Sequence, residues 1–157
     1  MLAVLLSTFS GLLGPGEDWS RFRGVDGAGV ARAVHLPDVL DQAKNLLWSA
    51  DLPPGNSSPC LTEQQVLVTG ARENELVTLC LDRESGKVLW SRAVKVPALE
   101  KTQEQNHPAT QTPTSDGKVV ISYFGSFGLV AYDLAGAELW RRELETPKNT
   151  FGTAACR

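Results

Sequence analysis

Two stretches of this sequence are copies of one another. Leu79-Cys-Leu-Asp-Arg-Glu-Ser-Gly-Lys-Val-Leu-Trp90 and Val130-Ala-Tyr-Asp-Leu-Ala-Gly-Ala-Glu-Leu-Trp140 both run apolar strand, Asp, short turn, Gly, apolar strand, Trp. The turn is four positions from Asp82 to Gly86 and three from Asp133 to Gly136, while Trp90 and Trp140 are 50 positions apart. A partial copy, Asn45-Leu-Leu-Trp48-Ser-Ala-Asp-Leu52, places another Trp 42 positions before Trp90. A run of small residues follows each Trp segment: Ser57 to Cys60, Thr110 to Thr114 and Thr153 to Cys156. A period of this length means a repeat architecture in which each unit buries its apolar faces against its neighbours.

Within one period the pattern is short and alternating. Strands are expected at Val66 to Thr69, Glu75 to Leu81, Lys87 to Val94, Lys118 to Phe124, Leu129 to Asp133 and Ala137 to Leu144. Asp116-Gly117 suits the positive φ of a tight hairpin. Only Leu36 to Ala43 suits a helical turn. Four antiparallel strands in 42 to 50 residues are the arithmetic of a β-propeller blade. Small residues suit the crowded innermost strand, and Trp suits the outer one, where the wedge between blades is widest. Asp82, Gly86, Trp90, Asp133, Gly136 and Trp140 are therefore expected to be structural repeat positions. The expected fold is all-β, a partial propeller of about two full four-stranded blades plus two orphan strands, an outer one around Leu46 to Leu52 and an inner one that begins just before Arg157.

Composition narrows the function classes. The 157 residues carry 15 Lys+Arg and 18 Asp+Glu, a formal charge of −3, without a dense basic block. Nucleic-acid binding is not expected, because neutralising phosphates needs clustered cations. Hydrophobic residues make up 42%, enough for a packed core, and 14 Gly with 9 Pro point to many turns. Cys60, Cys80 and Cys156 form neither a CxxC pair nor an even framework, so they read as small apolar strand residues. The apolar run over residues 1–16 reads as a signal peptide, although it lacks a basic start, and it is too short to span a bilayer. No transmembrane segment is expected. A periplasmic or secreted location follows, with a cytoplasmic one left open.

The repeat resembles that of the pyrroloquinoline-quinone-type (PQQ-like) β-propellers, roughly Ala-x-Asp-x-x-Thr-Gly-x-x-x-Trp. Here Ser85 takes the Thr position and Cys80 the Ala position, and the second copy, Ala131 to Trp140, lacks one turn residue. Asp18-Trp-Ser-Arg-Phe-Arg-Gly24 is similar to the lead-in segment of secreted bacterial members. Residues 17–45 are thus an irregular lead-in and 46–157 propeller blades. The resemblance implies a ring of more blades than this chain supplies, so an N-terminal fragment of a longer protein is expected, whose missing blades would be partners of these.

The resemblance also raises quinone-dependent dehydrogenation. That chemistry uses a quinone, a calcium-type ion, a catalytic Asp and usually adjacent Cys. No adjacent Cys pair occurs here, and no convergent Glu, Asn and Asp set is identifiable. Asp82 and Asp133 read as turn residues, and Trp48, Trp90 and Trp140 as packing. His35 and His107 are the only imidazoles; Glu104, Asn106 and His107 lie in the longest connection and could line a pocket near the axis. Asn56-Ser-Ser58 matches the glycosylation triplet and reads as chance. No catalytic, cofactor or metal residue is assigned.

In repeat style the chain is similar to the propeller subunit of the outer-membrane protein assembly machinery, which implies a noncatalytic extracytoplasmic scaffold for protein or peptide partners. The alternative is a piece of a quinoprotein dehydrogenase completed by other blades, with PQQ as its cofactor. A third is a sensor domain fused to a catalytic partner.

Overall fold

The structure, a computed structural model, describes residues 19–24, 26–31, 38–103 and 105–147. The leader at 1–16, Asp18, His35, Glu104 and the small-residue run at 153–156 with Cys156 lie outside them. Two four-stranded antiparallel sheets make up the fold of the described residues. Blade 1 is β1 (Cys60–Leu61), β2 (Gln65–Arg72), β3 (Glu75–Asp82) and β4 (Val88–Lys95), paired in that order. Blade 2 is β5 (Thr114–Ser115), β6 (Val119–Phe124), β7 (Gly128–Asp133) and β8 (Glu138–Glu143). One helical turn, α1 (Gln42–Asn45), starts where the Asp41 carboxylate accepts from the Ala43 N–H.

The two blades share the same pairing register around the repeat positions. Cys60, Leu67, Cys80 and Trp90 form one cross-strand row, and Thr114, Ile121, Ala131 and Trp140 form its counterpart. Each blade carries a bulge at the same place, between Cys80 and Leu81 and between Ala131 and Tyr132. A bulge turns the outer strand and adds twist. The Leu before each Trp falls at this irregularity and stays exposed, Leu89 at 52% and Leu139 at 50%.

The repeated Asp shapes the turn that precedes each outer strand. Asp82 accepts from the Ser85 N–H at 2.7 Å, and the Gly86 N–H donates to the Asp82 carbonyl at 2.9 Å. In the shorter turn Asp133 accepts from the Ala137 N–H at 2.8 Å, with Gly136 N–H donating to the Asp133 carbonyl at 3.0 Å. The missing residue thus leaves the closure intact. Aspartate suits the task because its short carboxylate reaches backbone N–H groups a few residues on. The Ser85 hydroxyl, which donates to the same carboxylate at 2.5 Å, and then the Ser85 N–H favour the charged form and hold the Asp82 carboxyl below its ordinary value.

The core lies between the blades. Leu67, Leu76, Cys80, Trp90 and Val94 of blade 1 pack with Val120, Phe124, Val130 and Tyr132 of blade 2. The other face of blade 1, with Val66, Val68, Val77, Leu79 and Leu81, is covered by Trp48 together with Ala50 and Leu52. Residues 46–52, expected as an orphan strand, cover that face without joining a strand ladder. Cys60 and Cys80 are buried thiols, and burial, reinforced by the Asp82 charge, pushes Cys80 up to about 12.

Candidate functional site

Two interlocks seat the blades. The Trp90 indole N–H donates to the Leu134 carbonyl at 2.9 Å, and its ring lies where a Cβ on Gly136 would stand 2.7 Å away. Trp48 does the same one unit earlier: its indole N–H donates to the Arg83 carbonyl at 3.0 Å, and its ring packs on Gly86. In both cases the acceptor is the residue immediately after the turn Asp. Arg92 adds a bond from Nε to the Gly136 carbonyl at 2.6 Å, and Thr78 donates to Ser122 at 2.9 Å inside the interface. Trp90 also tilts against Tyr132 at 5.6 Å between ring centroids. Burial first, then the nearby Glu138 charge, pushes the Tyr132 hydroxyl up to about 12. Trp48 and Trp90 are 9% and 7% exposed, whereas Trp140 is 43% exposed.

The lead-in segment ties the inner ends of both blades together. Trp19 carbonyl accepts from Leu61 N–H at 2.8 Å, and Ser20 carbonyl accepts from Ser115 N–H at 2.9 Å. The chain can turn sharply here because Gly24, at φ 80°, lets the backbone approach the Trp19 ring, where a Cβ would meet carbon at 3.0 Å. This turn brings Phe22, 42% exposed, over the segments that lead into β1 and β5.

A cleft of about 250 Å³ opens at that point. Its walls are Phe22, Asn56 and Ser58 on one side, with Gln105 and Asn106 from the long connection. Thr110 and Thr112, ahead of β5, complete it. The walls are locked to one another. Asn56 N–H donates to the Ala109 carbonyl at 2.9 Å, the Asn56 side chain donates to the Gln105 carbonyl at 3.3 Å, and Ser58 N–H donates to Thr112 Oγ1 at 3.2 Å. None of the seven side chains is ionisable near neutral pH. The cleft therefore offers amide and hydroxyl donors and acceptors around one aromatic ring, a set that recognises neutral hydrogen-bonding groups.

Of the connection residues singled out in the sequence, Asn106 lines the cleft. His107 does not. Its Nδ1 accepts from Ala109 N–H at 3.3 Å, while its backbone N–H donates to Thr110 Oγ1 at 3.0 Å. Burial lowers its pKa from the ordinary imidazole value and so favours the neutral ring, which braces the loop. Phe22, Asn56, Ser58, Thr110 and Thr112 were not anticipated as a site. Phe22 belongs to the lead-in motif, Ser58, Thr110 and Thr112 to the small-residue runs, and Asn56 with Ser58 to the glycosylation triplet.

Among the described residues, no group of three or more His, Cys, Asp and Glu side chains gathers in a way that could hold a metal ion. The rings of Trp48 and Trp90 are occupied by glycine turns, and Asp82 and Asp133 by the backbone of their own turns. These residues do not fit a quinone with its calcium-type ion. No helix among the described residues is long and apolar enough to cross a membrane.

Paired four-stranded blades, joined by a Trp on the next blade's glycine turn, define a β-propeller portion built from PQQ-type repeats. A family profile described as outer membrane protein assembly factor BamB matches residues 38–155, and the chain belongs to that family. No curated protein shows significant sequence similarity to the chain.

Proposed function

We propose that this chain is a noncatalytic, extracytoplasmic binding module for protein partners, with the cleft beside Phe22 as a contact point for peptide. The observation that carries this reading is the composition of the cleft. Neutral amides and hydroxyls around an aromatic ring match the donors and acceptors of a peptide backbone, and a charged substrate would find no counter-charge among these side chains. The family's name, an outer membrane protein assembly factor, supports polypeptides as the partner class and a location outside the cytoplasm. Asp82, Asp133, Trp48 and Trp90 are committed to turns and blade contacts, so a dehydrogenase site would draw its groups from other blades.

The test uses isotope-labelled protein titrated with a synthetic peptide of about 10 alternating apolar and polar residues, the length of a transmembrane β-strand. Resonance shifts confined to Phe22, Asn56, Ser58 and Asn106, abolished by Asn106→Ala, support the reading. No shift at these residues overturns it. In parallel, PQQ with Ca²⁺ is added while absorbance and dye reduction are followed; quinone binding with dye reduction would establish the dehydrogenase alternative instead.

A further inference from the structure

Among the described residues three arginines lie over aromatic rings. Arg92 over Trp90 and Arg141 over Phe127 are each 6.0 Å from the ring centroid, and Arg23 over Phe22 is 5.9 Å from it. Two of the stacks are completed by a hydrogen-bond acceptor. Arg92 donates from Nε to the Gly136 carbonyl at 2.6 Å, and Arg141 donates from Nε to the Glu138 carboxylate at 2.6 Å. The Arg23 guanidinium makes no hydrogen bond or ion pair with a described residue. Asp26, the acid of the same loop, accepts from the Ala28 N–H at 2.9 Å.

The backbone holds Arg23 in an unusual conformation. Its φ is 64°, in the left-handed region, where the other positive-φ residues of this loop are Gly24, Gly27 and Gly29. Residues with a Cβ seldom adopt such angles. The loop is fixed by the Gly29 N–H, which donates to the Arg23 carbonyl at 2.9 Å, and by the Gly24 N–H, which donates to the Arg21 carbonyl at 3.0 Å. Glycine would fit this backbone without strain. What arginine adds is a guanidinium over the ring that forms one wall of the cleft.

That placement selects the group it can bind. With its face on a ring, the planar guanidinium keeps its N–H edge for a partner, and its fork matches a carboxylate through two parallel bonds. Arg141, stacked on Phe127 and bonded to Glu138, is the same arrangement already complete. One guanidinium balances the single charge of a carboxylate, whereas a phosphate carries nearly twice that charge and would set the excess against neutral walls. Phe22, 42% exposed, offers apolar surface to a methylene stem. A side-chain carboxylate stands off the main chain and reaches over the ring, while a terminal carboxylate lies level with the main chain among the amides and hydroxyls of the walls.

We propose, building on the peptide reading of the cleft, that the bound segment carries an aspartate or glutamate whose carboxylate pairs with Arg23 while the flanking main chain lies against Asn56 and Asn106.

Four peptides of about 10 residues test this: an uncharged one with both ends blocked, the same with one central Glu, the same with one central Lys, and the uncharged one with a free C-terminal carboxylate. Binding is followed at the Phe22, Asn56 and Asn106 resonances of the isotope-labelled protein. The Glu peptide should bind about fivefold tighter than the uncharged one, the upper range for an exposed pair, and the Lys peptide more weakly. Arg23→Gln should erase that preference, and Arg21→Gln, the loss of a neighbouring charge, should keep it. In the natural protein the preference should shrink between about 50 mM and about 500 mM salt while the uncharged peptide binds unchanged. A preference indifferent to salt overturns the pairing even where Arg23→Gln does not fold. If the uncharged peptide shifts the cleft resonances and the Glu peptide binds no tighter, the pairing is overturned and the peptide reading stands. Equal loss in Arg21→Gln and Arg23→Gln, or a gain confined to the free C-terminus, overturns the pairing as well. No shift with any of the four overturns both.

Discussion

Trp90 of one blade packs on Gly136 of the next, closely enough that a single added methyl group would stand 2.7 Å from the indole. The same contact, between Trp48 and Gly86, secures the other side of blade 1. The repeated Gly and Trp are thus two halves of one joint between successive units. Asp sets the turn that exposes both the glycine and the accepting carbonyl.

Substituting the glycine should therefore cost more than its backbone angle alone. Gly136→Ala combines left-handed strain of about 1–2 kcal/mol with overpacking of about 1–3 kcal/mol. Gly27→Ala, at φ 74° with nothing within 4 Å of the new Cβ, is limited to the strain. Denaturant titration of the two variants should place Gly136→Ala well below Gly27→Ala in stability.

The hydroxyl pair inside the interface should show coupling. Thr78 and Ser122 are both fully buried and come from different blades. Thr78→Val strands the Ser122 hydroxyl at a cost of about 1–3 kcal/mol. A double-mutant cycle with Ser122→Ala should give an interaction of about 0.5–3 kcal/mol between the blades. Strict additivity would place the blades out of register.

Acid should destabilise the protein in two stages. His107 has a folded pKa below its ordinary 6.5 because it is buried. As pH falls below that value the unfolded chain takes up the proton first, so stability drops on the acid side of 6.5. His107→Gln should flatten this first stage. Asp82 and Asp116 lie below their ordinary 3.8 through hydrogen bonds to their own turns. Their contribution is complete above that value and disappears as pH falls through their lowered folded values. Asp82→Asn should change only the second stage. Thermal midpoints across the pH range measure both.

The repeat positions were legible in sequence because Asp, Gly and Trp recur in the same order, although the period and the turn length vary. Asp82, Gly86 and Trp90 have the same chemistry as Asp133, Gly136 and Trp140, and the shortened second turn preserves the backbone closure. The exposure of Trp140 was not legible, since a residue's identity does not record what packs against it. Residues 46–52 join no ladder among the described residues, as an orphan strand would not, and their Trp48 covers the outer face of blade 1. The cleft escaped for a different reason. Phe22, Asn56, Asn106 and Thr112 are spread over four segments, brought together by the bonds of Asn56 and Ser58 to the segments around Ala109 and Thr112 and by the lead-in's bonds to Leu61 and Ser115.

Hydrogen exchange at the indole N–H groups of the purified chain, followed by NMR, tests the joint most directly. Bonding to Arg83 and Leu134 carbonyls under a covering blade should slow exchange at Trp48 and Trp90 by orders of magnitude relative to Trp140. Trp90 exchanging as fast as Trp140 would contradict the joint between the blades and the arrangement built on it.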